Sequence, residues 1–176
     1  PLSGEVLVDG SSTVEVPSTQ ISSVVGMVRQ DPTAQLVCAT VFDEVAFGPA
    51  NLGLPKDEII SRVTQTLELC GIADLIDAPT HTLSGGQQQL VSIAAALSLR
   101  PRYLVLDEAF AQLDTRFRNH LSKLVNTLVT NGMGVLEISH SFESLPRADQ
   151  VLVLEKGQLV WAGTPTEFLL DANAIA

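Results

Sequence analysis

The segment between Leu83 and Asp114 places the strongest constraint on the fold of this chain. Within it, residues 103–106 form a short continuous apolar run, which is typical of a parallel strand buried on both faces. The run ends directly at Asp107 and Glu108. Because open α/β sheets bind ligands at the carboxyl ends of their strands, these two carboxylates are predicted to lie at a binding site. The pattern therefore favours an α/β fold with a mostly parallel sheet.

A helix that opens with two glycines is predicted just before this strand. Gly85 and Gly86 lie directly before residues 88–99, whose apolar members recur at helical spacing. The exposed amides of a helix N-terminus, together with the helix dipole, favour the binding of a phosphate group. This helix and the strand with its two terminal carboxylates together point to nucleotide chemistry.

Three motifs in this segment resemble those of ATP-binding cassette (ABC) ATPases. Residues 83–87, LSGGQ, are similar to the signature motif; residues 103–108 are similar to the Walker B strand; and residues 111–114 are similar to the D-loop. The motifs also follow one another in the order of that family. The resemblance implies a P-loop NTPase core of the RecA-like type with a mostly parallel sheet, and we expect that fold here.

The phosphate-binding loop of that family, G-x-x-x-x-G-K-[ST], does not occur in the 176 residues. Its lysine and its backbone amides hold the phosphates of the nucleotide. We therefore expect a core truncated at the N-terminus, with apolar surface left uncovered, and no ATPase activity from this chain alone. The sequence leaves open whether the loop is encoded upstream of Pro1 or is naturally missing.

The resemblance implies catalytic roles for four residues. Asp107 would hold Mg²⁺ through water, and Glu108 would orient or deprotonate the attacking water. Gln30 resembles the Q-loop glutamine, which contacts the metal and the attacking water. His140 resembles the switch histidine, which contacts the γ-phosphate.

The same resemblance implies that the nucleotide lies between two ABC subunits. Ser84, Gly85, Gly86 and Gln87 of the signature motif would bind the ATP that the other subunit holds. Asp114 would act across the seam of that dimer. ATP and Mg²⁺ are therefore the expected cofactors, and the second ABC ATPase subunit is either an identical chain or a different one.

A helical pattern begins at residue 31 and predicts an inserted subdomain. Residues 57–71 carry apolar side chains along one face, and acidic residues occupy the first turn. We expect a helical subdomain at residues 31–82, inserted into an ATPase core made of residues 1–30 and 83–176.

Residues 40–55, TVFDEVAFGPANLGLP, resemble the helical lobe of energy-coupling factor ATPases, which drive import of cobalt, nickel and vitamins. Phe42, Val45 and Phe47 either pack internally or line a groove for a helix of a membrane subunit. The resemblance implies an ATP-binding subunit that couples ATP hydrolysis to import of a metal ion or vitamin. Its expected partner is a transmembrane transporter subunit, and its expected location is cytoplasmic, peripheral on the inner face of the cell membrane.

Two other functions stay open. A soluble ABC ATPase of the chromosome-maintenance or translation kind would carry a long coiled coil or a basic face, and the sequence shows neither. A non-catalytic ABC module would only donate its signature motif to a partner's nucleotide, and the missing phosphate-binding loop supports that hypothesis.

Composition excludes two further classes of protein. The net charge is −10 and no cluster of Lys and Arg occurs, so a nucleic-acid partner is not expected. No segment approaches the roughly 18 apolar residues of a membrane span. Cys38 and Cys70 lack metal-ligand spacing and are interpreted as reduced, packed residues.

Overall fold

The computed structural model of the protein describes residues 4–111 and 113–171. Gln112, the second residue of the predicted D-loop, lies outside the described residues. Residues 1–3 and 172–176, which the sequence assigns to the core, lie outside them as well. The chain forms two compact units, Pro1–Ser139 and His140–Ala176. The insertion of a subdomain at residues 31–82 stays a prediction.

The first unit alternates short strands with helices, as an α/β fold requires. Two 3₁₀ turns, Ala73–Leu75 and Thr80–Thr82, separate its third and fourth helices. Its elements are, in chain order, β1 (Leu7–Val8), β2 (Ser11–Ser12), α1 (Ser18–Ser22), β3 (Val25–Val28), α2 (Val41–Asn51), α3 (Lys56–Leu69), α4 (Gly85–Leu97), β4 (Tyr103–Asp107), α5 (Thr115–Thr130) and β5 (Gly134–Ile138).

The central sheet of this unit is parallel, as the apolar run before Asp107 predicted. Its strands lie in the order β3-β4-β5. Val28 pairs with Leu106, and Asp107 pairs with Ile138, so the three strands end at the same edge of the sheet. Residues that directly follow these strands are therefore brought close together in space.

One face of the sheet forms the main core. Val28, Leu104 and Leu106 are completely buried on this face. Helix α4 packs closely against this face at Gly26 of β3. A Cβ added to Gly26 would lie only 3.3 Å from the Cβ of Ala96 in α4. Burial of each large apolar side chain contributes about 1.5–3 kcal/mol, so this face holds the carboxyl edge of the sheet in place.

The opposite face of the sheet exposes apolar side chains. Met27, Val105 and Leu136 form one row across the three strands, and Ile138 lies two residues beyond Leu136. Met27 is 52% exposed, Leu136 53% and Ile138 46%. Apolar exposure on neighbouring strands is typical of a surface that another segment or molecule covers. This observation agrees with the expectation of uncovered core surface.

Helices α2, α3 and α4 form a helical layer beside the sheet. The spacing of apolar residues in α3 predicted a buried face, and Val63 and Leu67 are completely buried. Thr40 caps α2 by accepting a hydrogen bond from the Asp43 amide at 3.1 Å. His120 of α5 contacts the end of α3 through a 2.7 Å hydrogen bond between its Nε2 and the Cys70 carbonyl.

The second unit contains a hairpin and a short helix. A 3₁₀ segment, Phe142–Arg147, precedes β6 (Val151–Glu155), β7 (Gln158–Gly163) and α6 (Pro165–Leu170). The hairpin is antiparallel. An aromatic cluster holds the unit together: the Phe168 ring lies 5.2 Å from Trp161 and 5.7 Å from Phe142, between ring centroids.

Candidate functional site

The carboxyl edge of the parallel sheet brings Gln30 and Glu108 into direct contact. Gln30 Nε2 donates a 2.9 Å hydrogen bond to Glu108 Oε2, although the two residues are 78 positions apart. Gln30 follows β3 and Glu108 follows β4, and these strands are adjacent and parallel. The contact therefore follows from the topology of the sheet. The Gln30 carboxamide thus bonds the half-buried Glu108 carboxylate at the edge of the sheet where α/β proteins bind ligands.

The backbone of Glu108 has an unusual conformation. Its φ angle is 50°, in the left-handed region that residues with a Cβ rarely adopt. The Glu108 amide donates to the Ile138 carbonyl at 2.9 Å, and the Glu108 carbonyl accepts from the Ala111 amide at 3.0 Å. Such strained conformations cost about 1–3 kcal/mol and cluster at functional sites. The strain supports a functional role for Glu108.

Asp107 is the last residue of β4 and is half-buried. Within the part of the chain that the structure describes, no group of three or more His, Cys, Asp or Glu residues could hold a metal ion. Mg²⁺ at nucleotide sites is bound by one or two carboxylates together with phosphates and water. A single carboxylate beside the Gln30–Glu108 pair fits that kind of site and does not fit a metal site made of protein ligands alone.

The signature residues form a capping box at the start of α4. The Gln87 amide donates to Ser84 Oγ at 3.3 Å, and the Ser84 amide donates to Gln87 Oε1 at 2.9 Å. These two bonds satisfy the amides of Ser84 and Gln87, which have no partner within the helix. They stabilise a helix start at Gly85. In this arrangement the Gln87 side chain turns back onto its own helix.

The two glycines of the motif have different surroundings. A Cβ added to Gly86 would lie 2.6 Å from Cγ of Phe117, so the start of α4 approaches α5 as closely as only glycine permits. Among the residues that the structure describes, none would lie within 4 Å of a Cβ added to Gly85, apart from its chain neighbours and the backbone of its own helix. Packing within this chain therefore explains a glycine at position 86 and does not explain one at position 85.

Asp114 lies beside the signature motif. Its side chain caps α5 by accepting a 2.9 Å hydrogen bond from the Phe117 amide. Because the Phe117 ring also contacts Gly86, the predicted D-loop and the start of α4 meet through this ring. Asp114, Ser84 and Gly85 are all exposed to solvent.

His140, the predicted switch histidine, follows the last strand of the sheet. It is exposed and is the first residue of the second unit. Its proposed role continues to rest on the sequence.

The cysteines take no part in this site. Burial raises the pKa of the Cys70 thiol to about 12, which leaves it protonated at neutral pH. Partial burial and the Glu44 carboxylate also raise the pKa of Cys38, which is half-buried rather than buried. Both cysteines are free, as the sequence predicted.

Sequence reasoning missed two residues that support the site. The Gln35 side chain bonds the backbone of Met27 and Arg29 just before Gln30, and the Glu44 side chain accepts from the amides of Val37 and Cys38 in the loop before α2. Glu44 has a detectable signal, because it occupies a core-facing position of α2 beside the buried Val45. An acidic residue at such a position needs a hydrogen-bond partner. Gln35 lies in a loop and has no periodic signal.

Comparison with known proteins identifies the class of this protein. The family model described as "ABC transporter" matches residues 1–111. The chain belongs to that family, as the LSGGQ motif and the Asp107–Glu108 pair predicted. The comparisons also confirm the predicted P-loop NTPase fold.

Two similar proteins are named as ATP-binding proteins of energy-coupling factor transporters. The chain is 44% identical over 177 residues to an energy-coupling factor transporter ATP-binding protein, EcfA1, of Symbiobacterium thermophilum, covering 99% of this chain and 62% of that protein. It is 38% identical to EcfA1 of Oceanobacillus iheyensis, covering 99% and 63%. The chain thus spans less than two thirds of the length of these relatives.

A solved structure shows the same fold. The structure of cbiO1 from Clostridium perfringens, described as part of the ABC transporter complex cbiONQ, superimposes with a TM-score of 0.85 and 33% sequence identity. The match covers 98% of this chain and 70% of that chain. Within residues 4–111 and 113–171, no helix is both long and apolar enough to cross a membrane.

Proposed function

We propose that this protein is the ATP-binding subunit of an ABC transporter and couples ATP hydrolysis to import of a metal ion or vitamin. The observation that carries the proposal is the hydrogen bond between Gln30 and Glu108 at the carboxyl edge of the sheet. The names of the relatives support the transporter assignment, because they are energy-coupling factor subunits and a component of the cbiONQ complex.

The chemistry of the site follows from the positions of its side chains. Glu108 orients or deprotonates the attacking water, and the Gln30 carboxamide holds the carboxylate in place. Asp107 and Gln30 would hold Mg²⁺, which would neutralise the charge of the phosphates. His140 contacts the γ-phosphate. Phosphoryl transfer depends mainly on such positioning and charge stabilisation rather than on covalent chemistry.

A second ABC subunit completes the site. The exposed start of α4 offers a backbone amide at Gly85, where no side chain in residues 4–111 and 113–171 comes within 4 Å of an added Cβ. An open glycine at a helix N-terminus suits a phosphate that another molecule presents. With the resemblance of residues 84–87 to the signature motif, this supports the proposal that Ser84, Gly85, Gly86 and Gln87 bind the ATP of the partner subunit and that Asp114 acts across the seam.

The two glycines allow a test of this seam. Gly85→Ala should change the free energy of unfolding by less than about 0.5 kcal/mol, because the added methyl group meets open space. Gly86→Ala should lower it by about 1–3 kcal/mol through overlap with Phe117. Urea denaturation of the two variants measures this difference. In the full-length protein, Gly85→Ala should nevertheless lose most ATP turnover; normal turnover would contradict a phosphate contact at Gly85.

The membrane partner is expected to bind at α2. Of the three apolar candidates there, Val45 is completely buried and Phe42 is half-buried, whereas Phe47 is 51% exposed. Val37 in the preceding loop is 71% exposed. Phe47 on α2 and Val37 in the preceding loop are thus the exposed apolar side chains here that a helix of a transmembrane subunit would cover.

Copurification tests the class of partner. The full-length protein, isolated from membranes in mild detergent, should copurify with an integral membrane protein. Phe47→Ser should weaken this association at least about tenfold, as expected for a buried aromatic contact. Val129→Ser, at another apolar residue that is 41% exposed, is the matched control. Copurification with DNA or ribosomes instead would favour the soluble ABC alternative.

A further inference from the structure

Two polar side chains of α4 are buried without a hydrogen-bond partner in the protein. Gln89 is 2% exposed and Ser92 is 4% exposed. Among residues 4–111 and 113–171, neither Gln89 Nε2 nor Ser92 Oγ finds a hydrogen-bond partner. Because a buried polar group that makes no hydrogen bond is costly, such groups in native proteins have a specific reason, such as bound water or a catalytic role.

The two side chains lie on one stripe of the helix. They are three residues apart, and Cβ atoms at that spacing lie about 5–6 Å apart on the same side of a helix. Ala96, four residues after Ser92, continues the stripe. Its Cβ would lie 3.3 Å from a Cβ added to Gly26 of β3. The stripe therefore faces the sheet, and Gln89 and Ser92 lie between α4 and the sheet.

This stripe extends towards the carboxyl edge of the sheet. Helix α4 connects the parallel strands β3 and β4, so it runs back from the carboxyl edge to the amino edge. Relative to Ala96, Ser92 is about 6 Å and Gln89 about 10 Å nearer the carboxyl edge. The end of β3 lies about 7 Å beyond Gly26. Ser92 is therefore level with the end of β3, and Gln89 lies just beyond it.

The rest of the buried part of α4 is apolar and gives no reason for this polar pair. Its other buried residues are Leu90, Val91, Ile93, Ala94 and Leu97.

The chemistry of the two groups restricts what they can bind. A carboxamide N–H₂ group only donates hydrogen bonds, so it does not bind a metal ion, whereas a serine hydroxyl both donates and accepts. Close packing of α4 on β3 leaves room for a small ligand only. Water meets both requirements, because it is small and both donates and accepts hydrogen bonds.

We infer that Gln89 and Ser92 bind one internal water molecule between α4 and the sheet. Gln89 Nε2 donates to the water oxygen, and the Ser92 hydroxyl donates to the water or accepts from it. Side chains whose Cβ atoms are about 5–6 Å apart can both bond one oxygen atom at about 2.8–3.0 Å. Internal waters of this kind satisfy buried polar groups and are costly to remove. The site belongs to the core, so it does not depend on the proposed function.

A high-resolution crystal structure of the full-length protein tests the site directly. It should show an ordered water within about 3.2 Å of both Gln89 Nε2 and Ser92 Oγ. A direct hydrogen bond from Gln89 to a protein group outside residues 1–176 would overturn the inference. Water that bonds only one of the two side chains, or no ordered water at either, would overturn it as well.

A double-mutant cycle in the full-length protein tests whether the two side chains share the water. Gln89→Met keeps the length of the side chain and removes the donor, and Ser92→Ala removes the hydroxyl. Because each change removes the same water, the unfolding equilibrium constant of the double variant should be about fivefold smaller than the product of the two single effects predicts. Urea denaturation measures these constants. Single effects that simply multiply would contradict a shared water.

Ser98→Ala is the matched control for this cycle. Ser98 is also completely buried at the end of α4, but its Oγ donates directly to the Ala95 carbonyl at 2.8 Å. It lies about 13 Å from Gln89 along the helix, so its effect should multiply with that of Gln89→Met to within about twofold. Equal coupling of Gln89 to Ser98 and to Ser92 would contradict a water shared by Gln89 and Ser92 alone. If Gln89→Met does not fold, the crystal structure of the unchanged protein decides.

Discussion

Replacement of Glu108 by Gln in the full-length protein is expected to lower kcat for ATP hydrolysis by about 10²–10⁴-fold, the usual contribution of a positioned general base. The carboxylate lies at the carboxyl edge of the sheet and accepts a 2.9 Å hydrogen bond from Gln30. A carboxamide has nearly the same shape but cannot take a proton from water. Nucleotide binding should therefore persist while turnover stops.

A phosphate-release assay measures this effect. Glu155→Gln is the matched control, because the side chain of Glu155 is 65% exposed on the terminal hairpin and takes no part in the proposed site. It should leave kcat within about twofold of the parent, as surface substitutions usually do. Unchanged turnover in Glu108→Gln would show that another group activates the water.

The second large effect concerns the phosphate-binding loop. The 176-residue chain should bind Mg-ATP at least about 10³-fold more weakly than a full-length protein that carries G-x-x-x-x-G-K-[ST]. Each charge-assisted hydrogen bond to a phosphate contributes about 1.5–3 kcal/mol, so the loss of two or three accounts for this factor. Asp107 and Glu108 cannot replace them, because carboxylates repel phosphate.

Titration calorimetry measures both affinities. A full-length variant with the loop lysine changed to Ala is the matched control, because it keeps the added segment and removes one phosphate contact. The affinity of this control for Mg-ATP should lie between that of the 176-residue chain and that of the full-length protein. Micromolar binding of Mg-ATP by the 176-residue chain would refute the prediction and would locate the nucleotide contacts within residues 1–176.

The parallel sheet was predictable because its signal is local. Residues 103–106 are continuously apolar, which is typical of strands in parallel sheets, although only Leu104 and Leu106 are buried here and Tyr103 and Val105 are half-buried. The start of α4 was harder to place: the two glycines suggested a helix beginning at residue 88, whereas it begins at Gly85. The capping box between Ser84 and Gln87 compensates for the poor helix propensity of glycine, and its S-x-x-Q spacing is readable in the sequence.

The site was only partly predictable. The resemblance selected Gln30 and Glu108, and the sheet topology explains why residues 78 positions apart meet. The core-facing position of Glu44 in α2 signals that its carboxylate needs a partner, but the partners of Gln35 and Glu44 depend on the path of a loop and could not be predicted. The difference between Gly85 and Gly86 also needs three-dimensional information, because it arises from the nearby Phe117 ring.

The contact between Gln30 and Glu108 bears differently on the catalytic subunit and on the non-catalytic module. A module that only donates its signature motif needs the exposed start of α4 and has no need of the Gln30–Glu108 contact. The hydrogen bond between these residues, together with the strained backbone at Glu108, therefore favours a catalytic subunit. Strain of this kind is maintained at functional sites because the surrounding structure compensates for it.

The most direct test of the account is the mass of the full-length Glu108→Gln variant, measured by light scattering with and without Mg-ATP. The account predicts a monomer, or a looser assembly, without nucleotide and a stable closed dimer with it, because ATP is bound between two signature motifs and is not hydrolysed. Gly85→Ala in the same background should prevent the closed dimer. A mass that does not change when Mg-ATP is added would contradict the proposed shared site.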